Sequence, residues 1–308
     1  MKCKEGKNMD NTITAGGPAN GSGSSSSKVI EEKKKKLTPV QIIIYIFLIA
    51  VAVIYLAPLF WVFNVSFKTN REIFTAPFAL PKDFTFENYT FAWTAGKLGI
   101  STLNSFIVCV ITLILSMFIG SMAAFGIGRM RWKLSKLCMT YFLTGMMIPV
   151  HCVLIPLFTR FAKVGLSNNL LGLILPYLTF ALPITIFIMT GFFESMPNEL
   201  IECACMEGAN IFDIFFRICL PLGKTGLFVT GLMTFVGNWN ELLLAMVFIS
   251  DDTKKTLPVS LSKFVGPYNT NYSQMFAAII IAIIPTIIVY CAFSNQIVDG
   301  LTAGAVKG

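Results

Sequence analysis

Long apolar runs, separated by short polar segments, fill the chain beyond residue 36. They lie at about 40–63, 103–125, 137–156, 170–192, 222–249 and 275–293. Each has roughly the 20 apolar residues that a helix needs to cross hydrocarbon. The pattern predicts an all-α fold: a polytopic membrane bundle of six transmembrane helices, with both termini on one side. Residues 1–36 differ. Rich in Gly, Ser, Asn and Lys, they hold too little apolar surface to fold and read as a disordered tail. That tail is too long and hydrophilic to begin a cleaved signal peptide. Its serine run, 24–27, lacks the Gly-Lys-Ser/Thr of a phosphate loop. The expected domains are thus the 1–36 tail and a 37–308 membrane domain.

Composition and charge fix the setting. The chain is 55% hydrophobic and 13% charged, about half the charge of a soluble domain. A net charge of +8 does not point to nucleic acid here. The basic residues cluster beside apolar spans, where they meet the headgroups of a lipid bilayer and set orientation. With both ends inside, the inner segments hold 15 Lys and Arg and the outer ones 9, and Lys33 to Lys36 stand directly before the first span. A multi-pass protein of the cell membrane is expected, with both termini and the segment 194–221 in the cytoplasm. The eight cysteines lie mostly in or beside apolar runs, where Cys acts as a small hydrophobe. Cys203-x-Cys205 has no second ligand pair or histidine at zinc spacing. No metal, cofactor or disulfide framework is expected.

Residues 194–226 break the membrane pattern. Glu194, Glu199, Glu202, Glu207 and Asp213 gather there between two apolar runs. Pro197 suits the first turn of a helix, and Glu199, Glu202, Cys203 and Met206 recur at helical spacing. Gly208 can supply a positive φ and end that helix. Asn210 can cap the next, whose apolar face is Ile211, Ile214, Phe215 and Ile218. Pro221 is expected to break it. The prediction is a short helix, a glycine turn and a second short helix, placed to dock into another protein.

The order Glu202-Cys203-Ala204, Gly208, Ile218-x-Leu220-Pro221 resembles the EAA loop of ABC-importer permeases: E-A-A, three residues, G, nine residues, I-x-L-P. Cys203 takes the first alanine position, one small residue for another. The resemblance implies a coupling segment seated in a cleft of a cytoplasmic ATPase. It assigns ATPase coupling to Glu202, Cys203, Ala204, Met206, Glu207, Gly208, Ile218, Leu220 and Pro221. Glu202, Met206 and Glu207 would make the docking contacts, with Gly208 keeping the turn tight.

Polar stripes mark the span faces turned away from lipid. In the second span Ser105, Thr112, Ser116, Gly120 and Ala123 share a face, and Gly120, Ala124 and Gly128 form a small-xxx-small series, read as close helix packing. In the third, Thr140, Thr144, Met147 and His151 share a face, with Pro149 and Pro156 bending the helix. His151 reads as a hydrogen-bonding group near the outer end. In the fifth, Thr230, Thr234 and Asn238 step by four, and Asn238-Trp239-Asn240-Glu241 lie within about one turn. Leaving these in lipid would cost several kcal/mol, so they face the interior. Two readings stay open. Thr230, Thr234, Asn238, Trp239, Asn240 and Glu241 line a substrate pathway, where amides and an acid satisfy sugar hydroxyls and the indole stacks on a sugar face; or they only tie helices together.

Further segments resemble permeases of the carbohydrate type: Leu80-Pro81 with 84–89, Asn104-Ser105, Trp239-Asn240, 256–259, Gln296 and the glycine-rich 300–308. The resemblance covers about residues 37–308. It implies a permease subunit forming half of the pathway of an ATP-driven sugar importer. Its partners would be a second, different permease, a cytoplasmic ATPase dimer, an extracellular substrate-binding protein and the carbohydrate substrate. The ending 300–308 would fit extended against a partner. The sequence has no Walker A pattern, so the chain is not expected to be an enzyme. The alternatives are an ABC permease for a polyol, sugar phosphate or amino acid, and a stand-alone secondary transporter with Glu241 as its relay group.

Overall fold

A computed structural model describes residues 38–130, 132–266 and 270–305, with side chains only as far as Phe293. The expected tail 1–36, the side chain of Gln296 and residues 306–308 lie outside this description. Among the described residues the chain is helical and forms no strand. It divides into two units, 1–52 and 53–308. The described part of the first is the opening half of α1 (Pro39–Val65), apolar and exposed along its length. A helix apolar all round suits lipid.

In the second unit a cap of short helices, α2 (Asn70–Thr75) and α3 (Glu87–Trp93), precedes α4 (Leu98–Arg129). Side-chain amides and a buried lysine fold the cap. Asn88 Nδ2 donates to the carbonyls of Ser66 and Lys68, each at 3.0 Å. Lys68, only 1% exposed, donates from Nζ to Ala76 O at 2.9 Å and Pro77 O at 3.3 Å.

α4 and α7 (Leu171–Glu194) form the central pair. A Cβ on Gly120 would stand 2.6 Å from Thr185 Cγ2, and one on Gly128 3.1 Å from Thr190 Cγ2. Small residues therefore set this close approach, as the second span's stripe predicts. Ser105, Thr112 and Ser116 are buried in the same face, and Ser105 Oγ accepts from Leu257 N at 2.8 Å.

Among the described residues four helices are long and apolar enough to cross a membrane: α1, α4, α7 and Tyr272–Phe293 of the last helix. Counting each of two bent pairs as one span brings the total to six. The first pair, α5 (Ser135–Met146) and α6 (Val150–Lys163), bends by 92°. Pro149 keeps Ile148 out of helical geometry and stands extended before α6. The bend separates Thr140 and Thr144 from His151, which lies exposed in the first turn of α6. Those residues do not share the expected face. Pro156, by contrast, sits inside α6 without breaking it.

The second pair joins the second helix of the 194–222 hairpin to the fifth span. After α8 (Asn198–Met206) comes α9 (Ile211–Leu222), which bends by 74° into α10 (Lys224–Trp239). Pro221 does not end α9, contrary to expectation. Its missing N–H is absorbed by a π-helical stretch, Ile214–Cys219, in which Leu220 N reaches back to Phe215 O. The break falls at Gly223, where a Cβ would lie 3.0 Å from the Phe193 ring and 3.1 Å from Cys219 O. α10 then stops at Trp239, so the fifth run is not one helix to 249. A short α11 (Leu243–Phe248) completes it. α12 (Leu257–Leu261) and α13 (Tyr272–Ala305) follow. Residues 300–305 are helical rather than extended.

Candidate functional site

The 194–222 hairpin has two faces because its helices bury one stripe each. Ala204 of α8 and Ile214, Phe215 and Cys219 of α9 are buried, in one cluster with Ala124, Phe125 and Ile127 of α4 and Ile186, Met189 and Phe193 of α7. Ring pairs reinforce the anchor, with Phe215 5.3 Å from Phe125 and 6.5 Å from Phe193. Burying Ile214 and Phe215 contributes about 1.5–3 kcal/mol each. The opposite face is open. Met206 is 81% exposed, and Glu202, Cys203, Glu207, Ile211 and Phe212 are exposed beside it. Such an apolar patch rimmed by carboxylates is a surface without its partner.

The turn between the helices is built as its sequence predicts. Gly208 has φ +82°, and a Cβ there would meet nothing within 4 Å. Backbone conformation, and not space, requires glycine. Asn210 caps α9, its Oδ1 accepting from Phe212 N at 2.9 Å and Asp213 N at 3.0 Å. Ile218 and Leu220 are half-buried, Pro221 exposed, and Arg217 pairs with Asp213 at 3.2 Å on the surface.

Sequence reasoning missed Arg129. It ends α4, donates from Nη1 to Asn198 Oδ1 at 2.8 Å and from Nη2 to Met196 O, and so fixes the entry of α8 to the bundle. In the sequence it stood as one more positive charge at a span end. An Arg closing a helix 65–70 residues ahead of an exposed Pro-Asn turn carries no local signal of that contact.

The polar stretch of the fifth run is turned largely on its own backbone. Thr230 Oγ1 donates to Gly226 O at 2.9 Å. Asn240 Nδ2 donates to Val236 O at 2.9 Å. Trp239, 2% exposed, donates from Nε1 to Ala282 O at 3.1 Å and stacks on Phe235 at 5.6 Å. Glu241 caps α11: its carboxylate accepts from Leu244 N at 2.7 Å, Ala245 N at 3.1 Å and Tyr177 Oη–H at 2.5 Å. Only Thr234 Oγ1 and Asn238 Nδ2 of this stretch are buried without a partner among the described residues. A cavity of about 260 Å3 lies against Trp239 and Asn240, lined also by Leu257, Ala282 and Thr286. No group of three or more His, Cys, Asp or Glu that could hold a metal gathers among the described residues.

Residues 116–300 match the family of binding-protein-dependent transport system inner membrane components. The chain belongs to this family. It is 36% identical over 262 residues to the diacetylchitobiose uptake system permease protein of Streptomyces coelicolor, covering 84% of this chain and 87% of that protein. It is 32% identical over 255 residues to the trehalose transport system permease protein of Mycobacterium tuberculosis, covering 82% and 93%. Among solved structures, a bacterial ABC transporter that imports the acidic polysaccharide alginate superposes with a TM-score of 0.74. The superposition covers 83% of this chain and 95% of that one at 24% identity, and shows the shared fold.

The family is one of transport permeases and not of enzymes. The family match takes in the whole hairpin and the whole 238–241 stretch. It begins after the α2–α3 cap, which belongs to the part of the permease outside the match.

Proposed function

We propose that this chain is one of two different permease subunits of an ATP-driven importer of carbohydrate, and that the 194–222 hairpin couples it to a cytoplasmic ATPase. In this reading residues 37–308 act as one permease domain with both termini in the cytoplasm, and an extracellular binding protein delivers the solute. One observation carries it: the hairpin buries Ala204, Ile214, Phe215 and Cys219 in the bundle while exposing Glu202, Met206 and Glu207. A lever fixed on one face and bare on the other transmits a partner's motion into α4 and α7. Carbohydrate as the solute is supported by relatives named for diacetylchitobiose, trehalose and arabinooligosaccharide uptake.

The solute pathway is assigned to the Thr234–Asn238 face of α10. These two residues have polar atoms left over, whereas Thr230, Trp239, Asn240 and Glu241 bond within the fold. ATPase closure would push the hairpin and rock the bundle between outward-open and inward-open states.

The test is copurification of the tagged chain from native membranes in a mild detergent. An ATPase and a second multi-span protein are expected with it, together with sugar uptake that stops when ATP is removed. A chain that purifies alone, with uptake independent of any ATPase, overturns the proposal.

A further inference from the structure

The end of the second unit remote from the hairpin carries a larger cavity, about 760 Å3, between α2, α3 and the start of α13. Ala92 of α3 packs with Leu98 in the first turn of α4, while Arg129 at the other end of α4 grips the hairpin. The 32 residues of α4 separate the two by about 48 Å. Nothing in the coupling or pathway reading uses this cavity.

Three of its amides are each held by one end. Asn70 Oδ1 accepts from Ser273 N at 3.1 Å and Ser273 Oγ at 3.3 Å, leaving its Nδ2 donors. Asn88 gives both its N–H groups to backbone carbonyls and leaves Oδ1 as an acceptor. Asn271 Oδ1 accepts from Gln274 N at 3.3 Å and leaves Nδ2. The Glu87 carboxylate and the Gln274 amide line the same cavity and make no side-chain bond among the described residues. Held amide donors and acceptors and two unpaired polar side chains therefore line one space, with the Phe86 and Phe91 rings in its wall.

The lining selects a chemistry. Among the described residues no Lys or Arg lines it, and the nearby Lys68 is buried with its ammonium on Ala76 O and Pro77 O. An anion would meet Glu87 with no cation to offset it. An apolar ligand would strand several amides, which is costly. Adjacent hydroxyls both donate and accept, so they match an amide donor beside a carboxylate or amide acceptor, and a ring face accepts a sugar's C–H side. The volume falls in the range of small-molecule sites, about 300–1,000 Å3.

We propose that this cavity binds a neutral, hydroxyl-rich ligand, a sugar residue or short oligosaccharide segment, at a site separate from the fifth-run stretch. The ligand class follows from the lining; that it is also the transported solute rests on the function proposed above.

The probe is an array of immobilised neutral glycans: gluco-, chito-, arabino- and galacto-oligosaccharides. The protein is applied as it isolates from native membranes, with whatever subunits accompany it. Wild type should retain at least one glycan class. Glu87→Ala and Gln274→Ala, which remove no bond that holds the cap, should each weaken retention by about tenfold with Tm unchanged. Retention of no class overturns the proposal, and so does equal retention by wild type and both variants. Variants that alter only the affinity for a binding protein would make the surface a protein contact and also overturn it. ATP-dependent uptake, measured separately on the same preparations, distinguishes this result from a failure of the importer reading.

Discussion

The 194–222 hairpin and the 238–241 stretch hold similar residues and use them in opposite ways. Both are short, polar and flanked by apolar runs. In the hairpin the backbone is satisfied by helices and by the Asn210 cap, so the carboxylates of Glu202 and Glu207 remain outside. At 238–241 the helix itself stops, and the freed backbone draws in the side chains: Glu241 takes two N–H groups of α11, and Asn240 returns to Val236. A broken helix inside a bundle needs internal partners for its polar groups. A polar residue next to such a break is therefore first a structural group, and the buried atoms left without a partner among the described residues, on Thr234 and Asn238, are the ones the proposed pathway uses.

Gly208 gives the largest expected effect and tests the hairpin side of that comparison. Because φ is +82° and the Cβ position is empty, Gly208→Val is strained by its backbone, by about 1–2 kcal/mol or more for a β-branched side chain. It should abolish uptake coupled to ATP hydrolysis while the protein still reaches the membrane. Gly208→Asn, equal in bulk but tolerant of positive φ, should retain much of the coupled uptake. If Asn and Val are equally damaging, size and not conformation governs the turn.

Glu241 tests the other side. As a cap it is structural, so Glu241→Ala should destabilise the solubilised protein by about 2–3 kcal/mol, read as a lower Tm, and Glu241→Gln should recover part of that. A solute-binding carboxylate would behave differently: Glu241→Gln would raise KM and leave Tm alone. Arg129 comes next. Arg129→Met removes both ties to the entry of α8 and should cost about 1–3 kcal/mol. Arg129→Lys cannot reach Asn198 Oδ1 and Met196 O at once, so it should restore little of that stability.

The contrast also explains what could be read without coordinates. The six runs, the small-residue face of α4 and the Gly208–Asn210 turn were legible because each rests on local spacing or on one residue's conformational range. The family resemblance fixed the hairpin as a unit for the same reason, since its pattern is contiguous. Three features were not legible. Both Pro149 and Pro156 read as bends, yet only Pro149 makes one, of 92°, while α6 runs unbroken through Pro156; the difference lies in what surrounds each proline. The persistence of α9 past Pro221 depends on a π-helical stretch that no periodicity announces. The grip of Arg129 on Met196 and Asn198 joins residues almost 70 positions apart. In the candidate site, the identity of the 238–241 residues was plain but their partners were not. Tyr177 and Ala282 come from other helices.

The smallest effect belongs to a loop that resembles neither region. Asp252, between α11 and α12, accepts from Lys255 at 2.8 Å and Lys263 at 2.5 Å, and these two cations, Lys255 foremost, hold its carboxyl well below the usual carboxylate range. A depressed folded-state pKa means that the tie is present at and above the unfolded value, near 3.9, and is lost only as pH falls through the folded one. The loop should therefore be indifferent to pH from 5 to 8. Asp252 and Lys263 are open to solvent while Lys255 is half-buried, so the ties are screened by salt and contribute little. Hydrogen exchange of residues 250–264 should rise slightly in Asp252→Asn at low ionic strength, and wild type and variant should converge in high salt. A variant that exchanged much faster, or that lost uptake, would mean that this loop, beyond the bond from Thr253 N to the Asp251 carboxylate, works like the hairpin: as a surface waiting for a partner.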